Sequence, residues 1–419
     1  MNASSAVQFG SMLREARKQK GLSQAELGGD KYSGSYISHL ESGRRAATPE
    51  VMEFLSRRLG VSLLEWGLAP AQSPSFLGGT IEDLLVAERA RSEHDWTSAI
   101  AHATEAAVRA EAVGDSGRHW EALYVVAQGR FSSGEFVEAA RLAEELASHT
   151  VATQFAVARA QALSLASIAN RSSDRLGLAV AFGARAVEAA SAAPPIILSE
   201  ALMSLVSAMS EAGHPAEESR DYLARLAELS PRLTSEHSRG MIAWTMSAAA
   251  FVAGDLDEGL RLQETAGELL DPRRDLRMWL RFHSTAARWR LGAGITDGVA
   301  EHLQTASLGL PILGNSYDVV ELRQSEAKLA MLTGDPQRGH DMIRAMLDDP
   351  VLGAAELSRG QSELVLAECL EALGREEDAR AQFVRAAVQL ETEGRLKVAL
   401  NAWRRSVGEE ISENFLTMA

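Results

Sequence analysis

A turn signal that returns about every 40 residues constrains this chain more than any other feature. Gly134 with Ala139, Gly254 with Gly259, Gly334 with Gly339 and Gly374 with Ala379 share one pattern, a glycine followed five positions later by a small residue. Weaker copies fall where that spacing places them: His94 with Ala99, Asp174 with Ala179, Gly213 with Glu218 and Gly294 with Val299. Successive starts lie 39 to 41 residues apart. Apolar-periodic stretches of roughly 15 residues flank each turn, as in EALYVVAQGRFSSGEFVEAARLAEELA. Each interval therefore predicts a helical hairpin whose first helix ends in a left-handed cap and whose helices approach closely at the small residue. One hairpin cannot cover both its apolar faces, so successive hairpins must stack. The expected fold class is all-α, with an α-solenoid of about eight hairpins over 81–419, a concave inner face, and a closing helix around LKVALNAWRRS.

The rest of the composition agrees. Aromatic residues make up 5% of the chain, and Ala, Leu, Glu and Arg, which are helix-forming residues, dominate. A single cysteine, Cys369, excludes an internal disulfide framework and a cysteine-built zinc site, and reads as a small buried hydrophobe. The N-terminus MNASSAVQFG lacks the basic and apolar regions of a signal peptide, and no window approaches the ~18 apolar residues of a membrane span. A cytoplasmic protein without membrane contact is expected. The net charge is -15, yet residues 1–70 carry nine Lys or Arg against seven Asp or Glu, net +2, which leaves -17 for 71–419. Only the N-terminal part suits a phosphate backbone. The segment 70–80, PAQSPSFLGGT, with two prolines and two glycines, reads as a linker between a domain at 1–69 and the repeats.

Helix signals crowd the first domain. Phe9, Met12, Leu13 and Ala16 mark one buried stripe. Ser23 with Glu26 forms a capping box, Ser33 caps a third helix that Gly43 ends, Thr48 and Pro49 open a fourth, and Ser62 with Glu65 makes another box. Leu22, Leu27, Ile37, Leu40, Met52, Leu55 and Leu59 supply a core. Two short helices around a tight turn, the second opening with small polar residues, suit a unit that reads base edges in a groove.

Residues GLSQAELGGDKYSGSYISHLESGRRAATPEVMEFLSRRLGVS resemble the helix-turn-helix domain of the Cro and lambda-repressor (XRE) family, with a turn about one residue shorter than in the best-known repressors. The resemblance implies a phosphate contact from Gln24, and base-reading positions at Gly34, Ser35 and His39 flanked by Ser33 and Tyr36. It also implies backbone contacts from Ser42, Arg44 and Arg45, and a structural ion pair between Arg17 and Glu41. The repeats are similar to tetratricopeptide repeats with a longer period. A DNA reader followed by such repeats resembles the peptide-responsive regulators of bacteria, in which a signalling peptide lodges in the groove.

No P-loop, HExxH or nucleophile elbow is present, and the ten histidines lack metal spacing, so neither an enzyme nor a cofactor is expected. LGAGITDG around Gly292 reads as a helix-helix turn. The resemblance to those regulators implies a groove asparagine that holds the ligand backbone, for which Asn170, Asn315 and Asn401 are the candidates by type; Trp279 and Arg281 from RMWLRFHSTAARWRL are further candidate ligand residues. In that helix Trp279, His283 and Ala286 share one face and Arg277, Arg281 and Arg288 another, either lining an anionic or aromatic pocket or forming core tryptophans beside a solvated Arg stripe. The expected partners are double-stranded DNA with a palindromic operator, a second copy of the chain, and a small signalling peptide or protein. A protein-protein adaptor, or a constitutive repressor without a ligand, is the alternative.

Overall fold

The structure, a computed structural model, describes residues 3–61, 74–352 and 358–409. Among these there is no strand, and no helix is long and apolar enough to cross a membrane. The capping box at Ser62 and Glu65 and the first residues of the expected linker, 70–73, lie outside the described residues. The chain divides into two compact units, Met1–Gly129 and Arg130–Ala419.

The first unit opens with α1 (Ala3–Gln19), α2 (Gln24–Gly28), α3 (Gly34–Glu41) and α4 (Pro49–Leu59) around a core of Phe9, Leu13, Leu27, Ile37, Leu40, Val51, Leu55 and Leu59. The capping signals act as drawn from sequence at α2, where Ser23 accepts from the Glu26 amide and Glu26 accepts from the Ser23 amide. Ser33 likewise accepts from the Tyr36 amide at the start of α3. One determinant escaped the sequence reading: Gly10 presses α1 against the carbonyls of Leu40 and Glu41, leaving no room for a β-carbon. Helices α5 (Pro74–Ser92), α6 (Trp96–Ala112) and α7 (Ser116–Ser132) follow.

Helix α5 corrects the linker. Residues 74–80 are its first two turns, because Pro74 suits the first helical position and Gly79 is buried where a side chain would strike the Arg109 guanidinium. Gly79 marks a close approach rather than a flexible tether. The division between units also falls within α7, after Gly129, and not at 70–80.

The second unit continues with α8 (Phe136–Ser148), the short α9 (Thr150–Gln154), α10 (Ala156–Ser172) with α11 (Leu176–Ala189), and α12 (Pro195–Glu211) with α13 (Ala216–Leu229). Next come α14 (Glu236–Ala253) with α15 (Leu256–Leu269), and α16 (Leu276–Gly292) with α17 (Val299–Ser307) and the short α18 (Leu310–Leu313). The last are α19 (Ser316–Leu332) with α20 (Pro336–Asp348), α21 (Arg359–Ala372) with α22 (Glu376–Thr392), and α23 (Leu396–Ser406). First helices stack on one another, α10 on α12, α12 on α14, α14 on α16, α16 on α19 and α19 on α21. Helix α23 packs on α22 as the closing element.

All eight turn residues, His94, Gly134, Asp174, Gly213, Gly254, Gly294, Gly334 and Gly374, have φ between 55° and 93°. At each, the turn amide donates to the carbonyl three residues back and the next amide to the carbonyl five back. The small residues Ala99, Ala139, Ala179, Gly259, Val299, Gly339 and Ala379 are buried as expected. The fourth repeat is corrected: Glu218 is exposed and Ser219 is buried, because Pro215 caps α13 and delays it by one residue. The close approach is visible in two bonds, from the Ser167 hydroxyl to the Ala179 carbonyl and from the Ser247 hydroxyl to the Gly259 carbonyl, both 2.8 Å. Cys369 is buried against Gly339, and burial pushes its thiol up to about 12.

A methyl group on Gly254 would meet nothing within 4 Å, so its substitution isolates the backbone cost. Gly254→Ala is expected to destabilise the second unit by about 1–2 kcal/mol in chemical denaturation, the left-handed penalty of an L-residue. No loss would show that the turn is not required.

Candidate DNA-reading surface and ligand cavity

Helix α3 is held from behind. The Arg17 guanidinium clasps Glu41 at 2.5 and 3.0 Å and also donates to the Leu22 carbonyl, so one buried carboxylate joins α1, α3 and the entry to α2. The Gln24 amide donates to the same carboxylate at 2.9 Å. Burial pulls the Glu41 carboxyl up, but the hydrogen bonds from Arg17 and Gln24 outweigh it and hold the group below the usual carboxylate range. Gly34 faces Ala25, with a built β-carbon 3.3 Å from the Ala25 nitrogen, and is therefore where α2 and α3 meet. Tyr36 stacks on Tyr32 at 5.3 Å and lies beneath the Arg45 guanidinium at 4.8 Å.

The solvent face of α3 is a stripe of small polar groups. Ser35, Ser38, His39 and Ser42 are exposed at helical spacing, and exposed Arg44 and Arg45 follow at the end of the helix. Ser38 was missed from sequence, although its place three residues after Ser35 on the same face was the available signal. Of the residues singled out by the family pattern, Gln24, Gly34 and Tyr36 are engaged inside the domain. Ser33 is exposed but serves as the helix cap, and Ser42 donates to the His39 carbonyl at 3.2 Å. Ser35, His39 and Arg44 are exposed with no side-chain hydrogen bond among the described residues, and Arg45 is exposed but lies over Tyr36.

In the second unit, residues from the end of α7 and from α10, α12, α14, α16 and α19 line a solvent-open cavity of about 230 Å³. Its walls combine Phe131, Ile168, Met241, Trp244 and Met278 with Arg171, Glu211, Arg281, Arg288, Tyr317 and Glu321. A smaller void of about 30 Å³, room for one water, adjoins it through Glu211, Arg288, Tyr317 and Glu321 and reaches Asp174 and Arg395. The stack comes back on itself around this region. Arg277 donates to the Ser132 carbonyl at 3.0 Å, Phe136 meets Tyr317 edge-on at 5.7 Å, and Lys397 donates to the Gly213 carbonyl.

The charges inside are unevenly matched. Arg171 pairs with Glu211 at 2.5 Å, and Arg277 and Arg281 share buried Asp318 at 2.9 Å each. Burial works against the Asp318 carboxylate, but Arg281 and Arg277 hold it ionised, below its usual range. Burial, with Glu321 and Glu211 nearby, pushes the Tyr317 phenol up, so it remains a donor, to Glu321 at 3.3 Å. Arg288 has Glu321 at 3.7 Å, beyond hydrogen-bond reach. Buried nitrogens of Arg171 (Nε), Arg288 (Nε) and Trp289 (Nε1) lack an acceptor among the described residues. A neutral donor left this way costs about 1–3 kcal/mol, and a charged one more.

The ligand candidates separate on inspection. Arg281 lines the cavity. Asn170 is wholly buried, donating to Glu144 at 3.0 Å and to the Ala166 carbonyl at 2.9 Å. Asn315 caps α19 in a reciprocal box with Asp318, and Asn401 is buried in α23. Trp279 packs between the core around Leu303 and the core around Phe282, with His283 4.5 Å from its ring. The Arg stripe is not solvated: Arg277, Arg281 and Arg288 are turned inward onto Asp318 and Glu321.

Asp174 carries a pH signature. Burial pushes its carboxyl up to about 7, with Glu393, Glu211 and Glu321 adding to the rise and Arg395 opposing it. An acid raised in the fold is held without cost below its unfolded pKa near 4, and stability is lost as pH climbs to about 7. Relative to wild type, Asp174→Asn is expected to gain stability between pH 4 and 7 and to hold a constant advantage above. A pH-independent difference in denaturant midpoints would contradict this.

A helix-turn-helix family model matches residues 13–66. No curated protein matches the chain by sequence. Among solved structures, a Rap protein complexed with competence and sporulation factor is 11% identical, with 96% of each chain covered and a TM-score of 0.50, a likeness of fold alone. PlcR of Bacillus thuringiensis, in complex with the peptide PapR7 and DNA, is 10% identical over 96% of this chain and 100% of that one, with a TM-score of 0.28, too low to support an argument. The N-terminal unit of this chain thus carries a helix-turn-helix domain of the XRE type, residues 13–66.

Proposed function

We propose that the chain is a sequence-specific DNA-binding transcription regulator that acts as a homodimer and whose repeat unit senses a ligand. The observation that carries the DNA-binding part is the exposed stripe Ser35, Ser38, His39 and Ser42 on α3, followed directly by Arg44 and Arg45. Short hydroxyls and an imidazole suit base edges, and guanidinium groups at the helix end suit phosphates. One helix-turn-helix reads too few base pairs for useful specificity, so two copies on a two-fold site follow. Exposed Leu396, Leu400 and Val407, at 66%, 50% and 73%, offer an apolar surface for that pairing. Ligand sensing is supported by the cavity and its unmatched donors, and by the Rap structure of like fold, which holds competence and sporulation factor.

Footprinting on the chain's own promoter and on a pool of genomic fragments, across a salt series, tests the reading. Wild type should protect a symmetric site of two half-sites. Arg44→Ala and Arg45→Ala should each weaken binding about equally on all sequences and reduce the salt slope by about 1. Absence of any protected site in the pool, with unchanged weak binding by the variants, would overturn the regulator and favour a protein adaptor.

A further inference from the structure

Resting on the ligand-sensing reading above, we propose that the cavity takes a small organic carboxylate with an aromatic or branched apolar body, its carboxylate held by Arg288. The repeat register points to this residue. Six residues before the turn, Lys328 of one repeat pairs with Glu368 of the next, and Arg288 occupies the same place one repeat before Lys328. The residue 40 after Arg288 is Lys328, itself a cation, so the series lacks a carboxylate at this step. Arg288 has Glu321 at 3.7 Å, whose oxygen already accepts from Tyr317, and the Trp289 ring at 5.1 Å, but it makes no hydrogen bond among the described residues. Arg171 and Arg281, beside it, each have a carboxylate at 2.5 and 2.9 Å, Glu211 and Asp318, although Arg171 Nε lacks an acceptor.

A planar guanidinium with free donors matches a carboxylate in two parallel hydrogen bonds. Glu211 and Glu321 also line the space, which disfavours a dianion such as phosphate and leaves a single negative charge as the better fit. The apolar part of the wall includes Phe131, Met241, Trp244 and Met278, aromatic and thioether in character, beside hydroxyl groups such as Ser207 and Thr245. Benzene occupies a cavity of about 150 Å³. The roughly 230 Å³ present therefore has room for one ring with a short acid side chain, or for the last residue of a peptide.

The test is calorimetry and tryptophan fluorescence on the full chain with phenylacetate and indole-3-acetate, their neutral amides, and inorganic phosphate. The acids should bind at submillimolar concentration and the amides at least tenfold more weakly. Arg288→Gln should abolish that difference and Arg288→Lys should retain part of it. The acid-amide comparison in the unaltered protein stands even if the Gln variant misfolds. Equal binding of acid and amide, phosphate binding as tight as the acids, or no acid binding by millimolar concentration would each overturn the proposal. A short peptide ending in Phe, with free or amidated C-terminus, separates the sources. Tighter binding of its free form than of phenylacetate assigns the carboxylate to a peptide end, and the reverse assigns it to a free acid. Acids that bind without altering operator affinity would leave the cavity assignment in place and sink ligand sensing.

Discussion

The left-handed turn followed by a buried small residue is the constraint on which the helical array depends. The turn ends one helix with two specific amide-carbonyl bonds, and the small residue lets the next helix lie close enough for a serine hydroxyl to reach its backbone. Neither half suffices alone. A glycine without the buried small residue would leave the hairpin angle open, and a small residue without the turn would have no fixed partner. Where the first half is filled by His94 or Asp174, the chain takes the left-handed conformation without glycine, at residue types that tolerate it better than most.

A constant period also determines which side chains face one another across repeats. Positions about 40 apart meet across neighbouring first helices, so a cation in one repeat can find a carboxylate in the next, as at Lys328 with Glu368 and, nearer the turn, at Arg171 with Glu211. Such buried pairs stabilise little net of desolvation, but they penalise any slip in stacking, because a slip would strand a charge. Arg288 is the place where this scheme leaves a cation short of hydrogen bonds, at the wall of the cavity that the returning stack lines.

Much of this was legible in the sequence, and the parts that were not share a cause. Turns and caps are local, so Gly134, Gly254, Ser23 with Glu26 and Ser33 could be placed from spacing alone. Long-range approach was invisible: Gly79 looked like a tether because Arg109 was not yet beside it, and Gly10 looked unremarkable because α3 was not yet across it. The one-residue delay at Pro215 moved burial from Glu218 to Ser219, a shift no average period reveals. Residue type singled out Asn170 and Asn315 but could not disclose that Asn170 donates to Glu144 or that Asn315 accepts from the Asp318 amide. Arg281 was singled out because its helix showed a polar face, but that face could not disclose Asp318 as its counter-ion.

On the DNA side, α3 is held at its rear by one carboxylate, Glu41, that accepts from both Arg17 and Gln24, leaving Ser35, Ser38 and His39 exposed in front. The most direct measurement is selection of bound sequences from a random duplex pool by the full-length protein, run beside His39→Ala. The account expects a two-fold symmetric consensus with half-sites about one helical turn apart, and a relaxed preference at one position of each half-site in the variant. No enrichment, or an identical consensus for both proteins, would contradict the claim that this face of α3 reads DNA.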